Sequence, residues 1–97
     1  MSVVRHLMIR GRVQGVGYRA FVEEVALDQG LAGWVRNRRN GAVEAVFAGS
    51  PAAVAQVAAV CRRGPPGARV DSVEEREATQ DELALSGGAR FAVLPTI

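Results

Sequence analysis

An α+β plait, with two helices on one face of an antiparallel sheet, is the fold class predicted for this chain of 97 residues. Three observations predict it. Segments with the two-residue alternation of strands and segments with the 3.6-residue recurrence of helices follow one another as strand, helix, strand, strand, helix, strand. Asn40-Gly41 separates two strand segments at hairpin distance, and Gly64-Pro65-Pro66-Gly67 stops the second helix. Length and composition agree: 48% hydrophobic and 23% charged residues suit a folded chain, and its size suits one domain over residues 1–97 with a single two-layer core.

The first strand is read over Val3 to Ile9, with Val3, Leu7 and Ile9 on one face, interrupted by Arg5, and Val4, His6 and Met8 on the other. Tyr18, Phe21, Val22, Val25 and Ala26 then recur at helical spacing, and Gly30 stands where a C-terminal cap belongs. Residues 32–39 and 42–48 flank Asn40-Gly41, either as a tight hairpin or with a longer loop and a bulge at Gly41; both registers are read to put Trp34 on the face of Val43, Ala45 and Phe47. Ser50-Pro51 supplies an N-cap and a proline for the first helical position, ahead of the stripe Val54, Val57, Ala58 and Cys61. Arg69 to Ala78 alternates as a fourth strand with the polar character of a sheet edge, and Phe91 to Leu94 reads as a short extra C-terminal strand. Between them, Asp81 to Leu85 has the makings of a helical turn and Ser86-Gly87-Gly88 those of a loop.

This order is that of the ferredoxin-like βαββαβ plait. There the first two strands run parallel with the third inserted between them, so their C-terminal ends lie at one end of the sheet. The topology thereby draws Arg19 towards Asn37, although they are eighteen residues apart.

What stands at that end is chemically suggestive. Gly11-Arg12-Val13-Gln14-Gly15-Val16-Gly17-Tyr18-Arg19 follows a strand, packs three glycines into seven residues and opens an amphipathic helix. Glycines let the backbone turn tightly so that successive N–H groups point into one concavity, the helix start favours an anion, and the Arg19 guanidinium can clamp phosphate oxygens in a fork. Charge distribution agrees: residues 1–40 hold seven arginines against three acids, while residues 70–85 hold six acids against Arg76. With a net charge of only +2, a small phosphorylated ligand fits better than nucleic acid. All twelve basic residues are arginine, which excludes a P-loop lysine, a Schiff base and a lysine general base. Cys61 is the only cysteine, so an internal disulfide and a cysteine-based zinc site are excluded. The short apolar N-terminal run, broken by Arg5 and His6, resembles neither a signal peptide nor a membrane span, and a soluble cytoplasmic protein is expected. Gly15-Val16-Gly17-Tyr18-Arg19-Ala20 also satisfies a dinucleotide-binding pattern, but the chain is too short for a doubly wound fold and no acid ends the second strand.

The two stretches together strongly resemble the acylphosphatases. The first signature of that family is matched by Gly11, Val13, Gln14, Gly15, Val16, Tyr18 and Arg19, and the second by Gly33-Trp34-Val35-Arg36-Asn37 with Gly41, Val43 and Gly49 at the family's spacing. The resemblance extends over nearly the whole chain in element order. It implies hydrolysis of the carboxyl–phosphate bond of acyl phosphates to a carboxylate and inorganic phosphate. The loop amides of residues 14–19 and the Arg19 side chain would hold the phosphoryl group, and Asn37 would position the attacking water. Tyr18 stands where the family usually has phenylalanine, adding a hydroxyl that needs water or a partner; Leu94-Pro95-Thr96-Ile97 replaces a basic and aromatic pair common at the C-terminus of relatives.

These residue types suit that reaction. The leaving carboxylate has a conjugate-acid pKa of about 4, so no general acid is needed, and none stands near the loop. Positioning and charge neutralisation remain, which amides and one arginine supply. Asn37 does not titrate in the useful range, so it orients the water and the proton passes to the substrate phosphate. No carboxylate cluster accompanies the loop; neither metal nor other cofactor is expected, and a monomer with no nucleic-acid or membrane partner is the expected form. His6 is read as a sheet-face histidine, Cys61 as core, Trp34 as packing, and Arg36, Arg38 and Arg39 as a solvated hairpin tip. Two other functions are open to a plait of this kind. An RNA-recognition module needs an aromatic-rich third strand, where this chain offers only Phe47. A non-hydrolytic binding domain, like the one that begins the carbamoyl-phosphate-using hydrogenase maturation proteins, is less apt for an isolated chain of this size. Broad acceptance of acyl groups is expected, because no distinctive residues are evident for the acyl end.

Overall fold

The alternating and recurrent segments become five strands and two long helices in a computed structural model that describes residues Met1–Ile97. In chain order they are β1 (Val3–Arg12), α1 (Tyr18–Asp28), β2 (Ala32–Asn37), β3 (Val43–Gly49), α2 (Pro51–Arg63), β4 (Arg69–Glu77), a short α3 (Gln80–Leu83) continued by a 3₁₀ turn (Ala84–Ser86), and β5 (Phe91–Val93). The strands form one sheet in the order β4-β1-β3-β2-β5. Its first four members pair antiparallel, as the ferredoxin-like plait requires. β5 departs from the expected antiparallel sheet by pairing parallel to β2, which makes the sheet mixed. The reason is the path before it: β4 finishes beside Arg5, at the end of the sheet where β2 begins, and the chain then crosses on the side away from α1 and α2, where the Trp34 indole Nε1 donates to the Glu82 carbonyl at 2.7 Å, so β5 sets out beside Gly33 in the direction of β2.

Three local devices shape the site end. β1 runs three residues beyond the expected Ile9, because Gly11 adopts φ 137° and passes the Arg69 carbonyl at a distance no side chain would permit; β4 accommodates it with a register shift between Arg10 and Gly11. α1 ends in a Schellman motif, with the Leu31 N–H donating to the Ala26 carbonyl, the Gly30 N–H to the Leu27 carbonyl, and Gly30 at φ 71°. α2 begins as its sequence indicates, the Ser50 hydroxyl accepting from the Ala53 N–H at 3.2 Å ahead of Pro51. α3 is fixed by a capping box between Thr79 and Glu82, whose Thr-x-x-Glu spacing marks the helix start.

The core lies between the helices and one face of the sheet. α1 contributes Tyr18, Val22 and Ala26, α2 the whole expected stripe of Val54, Val57, Ala58 and Cys61, and the sheet Leu7, Ile9, Val35, Val43, Ala45 and Phe47. Trp34 is not among them. It pairs with Val46, and directly paired residues share a face, so the indole stands on the side opposite Val43, Ala45 and Phe47. The expected placement fails by one residue of register. The hairpin closes with the Arg38 N–H on the Ala42 carbonyl and the Gly41 N–H on the Arg38 carbonyl, and a shift of one residue turns every side chain to the other face. No helix is long and apolar enough to cross a membrane.

Tyr18 finds its partner in α2. Its hydroxyl donates to the Cys61 carbonyl at 2.7 Å, satisfying one of the backbone acceptors that the end of α2 leaves unpaired. Burial raises the Tyr18 phenol above its ordinary value and pushes the Cys61 thiol up to about 12, so both remain protonated packing groups. Tyr18→Phe is expected to lower stability by about 1 kcal/mol, the value of one buried hydrogen bond, in urea denaturation at pH 7; no loss would mean that Cys61 has another donor.

Candidate functional site

Between β1 and α1 the chain turns through Gly15 at φ 74° and Gly17 at φ 77°. A Cβ at either position would meet nothing within 4 Å, so glycine is needed there for the left-handed backbone and not for space. Gly17 is the N-cap of α1 and supplies no capping side chain. The N–H groups of Gln14 through Arg19 consequently donate to no backbone acceptor of the chain. A run of free donors at a positive helix end is an anion-binding arrangement. The Gln14 side chain fixes it in place: its Nε2 donates to the Arg38 carbonyl at 2.7 Å and to the Ala42 carbonyl at 2.8 Å, tying the loop to the β2–β3 hairpin. That bridge was not foreseen; sequence reasoning credited Gln14 with its backbone amide alone.

The hairpin delivers Asn37. It is the last residue of β2, opposite Val43, which in turn is opposite Ile9, so Asn37 and the end of the β1 core run lie in line across three strands. The topology expected to bring Arg19 and Asn37 together does so. Both line a cavity of about 320 Å³ together with Gln14, Gly15, Gly17 and Tyr18. Val16 is the one expected loop residue whose side chain turns away, packing against the core. Arg19 takes part in none of the eight ion pairs of the chain, and Asn37 Oδ1 is buried without a hydrogen-bond partner. An unpaired guanidinium, an unsatisfied acceptor and a row of free amides thus face one space. Glu23 and Val93 also line it and escaped the sequence reading, because neither belongs to a motif.

A family model described as acylphosphatase matches residues 5–92. The chain belongs to the acylphosphatase family. It is 60% identical over 95 residues to an acylphosphatase of Bradyrhizobium diazoefficiens, covering 97% of this chain and 96% of that protein. Among solved structures, the acylphosphatase from Bacillus subtilis superposes with a TM-score of 0.83 at 34% identity, covering 97% of this chain and 99% of that one. Full-length HypF, solved in a phosphate- and nucleotide-bound form, contains a similar unit, with a TM-score of 0.84 at 26% identity; it covers 99% of this chain but only 12% of that one. Near-complete mutual coverage by free-standing acylphosphatases supports acylphosphatase activity, a hydrolase function, for this chain.

In this acylphosphatase the other large depression, of about 470 Å³, lies on the opposite sheet face among His6, Met8, Arg10, Glu44, Glu74 and Arg76, and its charges are already satisfied within the chain. Glu44 is 6% exposed and takes the His6 Nε2 at 2.7 Å, the Arg36 Nε at 2.7 Å and the Arg38 guanidinium at 3.0 Å. Arg36 and Arg38 are therefore not the solvated hairpin tip expected of them. Arg36 sits directly opposite Glu44 in the ladder, and its guanidinium stacks over the Trp34 ring at 4.7 Å. His6 does sit on the sheet face, and it has a carboxylate partner.

These carboxylates make stability depend on pH in a definite direction. Burial acts to raise the Glu44 pKa, but hydrogen bonds from His6, Arg36 and Arg38 outweigh it and hold the group below its ordinary value. The Arg76 guanidinium and the Thr79 N–H bring Glu82 to about 2. A carboxylate with a lowered folded-state pKa adds stability that is complete above the unfolded value, about 4.3, and is lost as the pH falls through the folded value. Stability is therefore expected to decline between about pH 5 and pH 2. Glu44→Ala, which strands the half-buried Arg36 and the buried His6, should lower it at pH 7 by roughly 3 kcal/mol and flatten that decline; denaturation midpoints of the two proteins across this range check both outcomes.

Proposed function

We propose that this acylphosphatase binds the phosphoryl group of its substrate on the amides of Gln14 to Arg19, neutralises it with the Arg19 side chain, and directs water at phosphorus with Asn37. The observation that carries the reading is the convergence of an unpaired Arg19 and an unsatisfied, buried Asn37 Oδ1 on one cavity at the uncapped start of α1.

The chemistry follows from those groups. Amide donors and a bidentate guanidinium spread the charge of the three phosphoryl oxygens that do not react, and they are held in position before substrate arrives. Asn37 Oδ1 accepts a hydrogen bond from the water and so turns an oxygen lone pair towards phosphorus. As the bond from that water oxygen to phosphorus forms, the bond from phosphorus to the carboxyl oxygen breaks and the carboxylate departs unprotonated. The water proton goes to a phosphate oxygen. The only carboxylate among the residues lining the cavity is Glu23, and no three His, Cys, Asp or Glu side chains are grouped as metal ligands; turnover is proposed to need neither metal nor cofactor. The reading takes residues 1–97 as one domain and as a monomer, acting on small acyl phosphates in the cytoplasm.

Hydrolysis of benzoyl phosphate in excess chelator tests it. Turnover by the parent is expected to persist with chelator, and Arg19→Ala and Asn37→Ala, each folded by circular dichroism, should lower kcat/KM by about 10²- to 10³-fold. Retention of parent activity in either variant would remove that residue from the mechanism.

A further inference from the structure

Two kinds of residue line the cavity. Six are the loop residues, Arg19 and Asn37, or the Tyr18 ring beneath them; Val13 is buried under the loop. What remains is Ala20, Glu23 and Val93, a rim open to solvent in which Val93 is 43% exposed. Glu23 stands one helical turn past Arg19, about 6 Å along α1. It is half-buried and takes part in no ion pair, so no guanidinium in the chain is in contact with it. The lining thus holds one base and one acid, and the acid is at the rim.

From this placement we infer that Glu23 sets the charge specificity of the site, favouring acyl phosphates whose acyl group is neutral or cationic and disfavouring those that carry a second negative charge. The inference rests on the proposed seating of the phosphoryl group at the start of α1. With that group on the amides and Arg19, the remainder of the substrate must leave through the rim. At a separation of about 6–8 Å, in surroundings between water and a protein surface, an anionic substituent there would meet about a two- to six-fold penalty from the unpaired Glu23 carboxylate. An ammonium group gains a comparable factor. The expected tolerance of acyl groups is thereby narrowed by charge and not by shape.

The experiment uses ratios, which cancel any effect of the substitution on phosphoryl binding itself. In hydrolysis, kcat/KM for benzoyl phosphate is compared with that for succinyl phosphate. In binding, the affinity for propylphosphonate is compared with that for 3-phosphonopropionate, neither of which turns over. Both comparisons are made for the parent, Glu23→Gln and Glu23→Lys; glutamine and lysine keep the helix propensity of this exposed turn. The parent should prefer the neutral member of each pair, Glu23→Gln should narrow the preference by about two- to six-fold at low ionic strength, Glu23→Lys should narrow it further, and 0.5 M salt should erase most of the difference. Ratios that do not move in either variant would overturn the inference while hydrolysis stands. A parent that binds both phosphonates with the expected ratios but hydrolyses nothing would overturn the catalytic reading and support the assignment of Glu23.

Discussion

Everything at the functional end of the molecule depends on β3 lying antiparallel between β1 and β2. Ile9, Val43 and Asn37 stand in one line across these strands, so the chain leaves β1 and β2 at the same end, on the same face and two strand spacings apart, roughly 10 Å. The loop before α1 has only to close that gap, and the two hydrogen bonds of the Gln14 amide hold it closed. Side chains far apart in sequence are thus fixed by rigid pairing on one side and a short tether on the other. Positioning of this kind is what a reaction without a strong acid or base requires.

The two faces of the sheet divide the polar work. On the helix side an apolar core leaves its few unsatisfied groups, the loop amides, Arg19 and Asn37 Oδ1, at the cavity. On the opposite side Glu44, His6, Arg36 and Arg38 satisfy one another beneath the crossing segment that Trp34 and Arg76 anchor through Glu82. The internally paired face contributes stability, and the unpaired one is left free to bind an anion. Buried polar atoms without partners are uncommon in folded chains, and here the one side-chain instance falls at the candidate site.

The candidate site was legible because its determinants are local. Glycines at 15 and 17, a helix start at Tyr18 and an arginine at 19 declare an anion cradle without knowledge of anything distant, and the element order alone brings Asn37 to it. What was hidden depends on register or on neighbours from other elements. Trp34 was assigned to the wrong face because a hairpin around Asn40-Gly41 admits closures that differ by one residue, and with the register misread the Glu44 partner of Arg36 could not be seen. β5 runs parallel because of a crossing segment whose capping box was readable but whose route was not. Glu23 carries no motif; only its turn of α1, facing the cavity, distinguishes it from Glu24 beside it.

The loop amides and Arg19 are proposed to receive the phosphoryl group. Titrating isotopically labelled protein with inorganic phosphate and following every backbone amide by two-dimensional NMR examines it residue by residue. Saturable shifts concentrated at Gly15 to Arg19 and at the Asn37 side-chain amide are the predicted result. Shifts centred on the opposite face, around His6, Arg10 and Arg76, or none at the loop while phosphate binds, would contradict it.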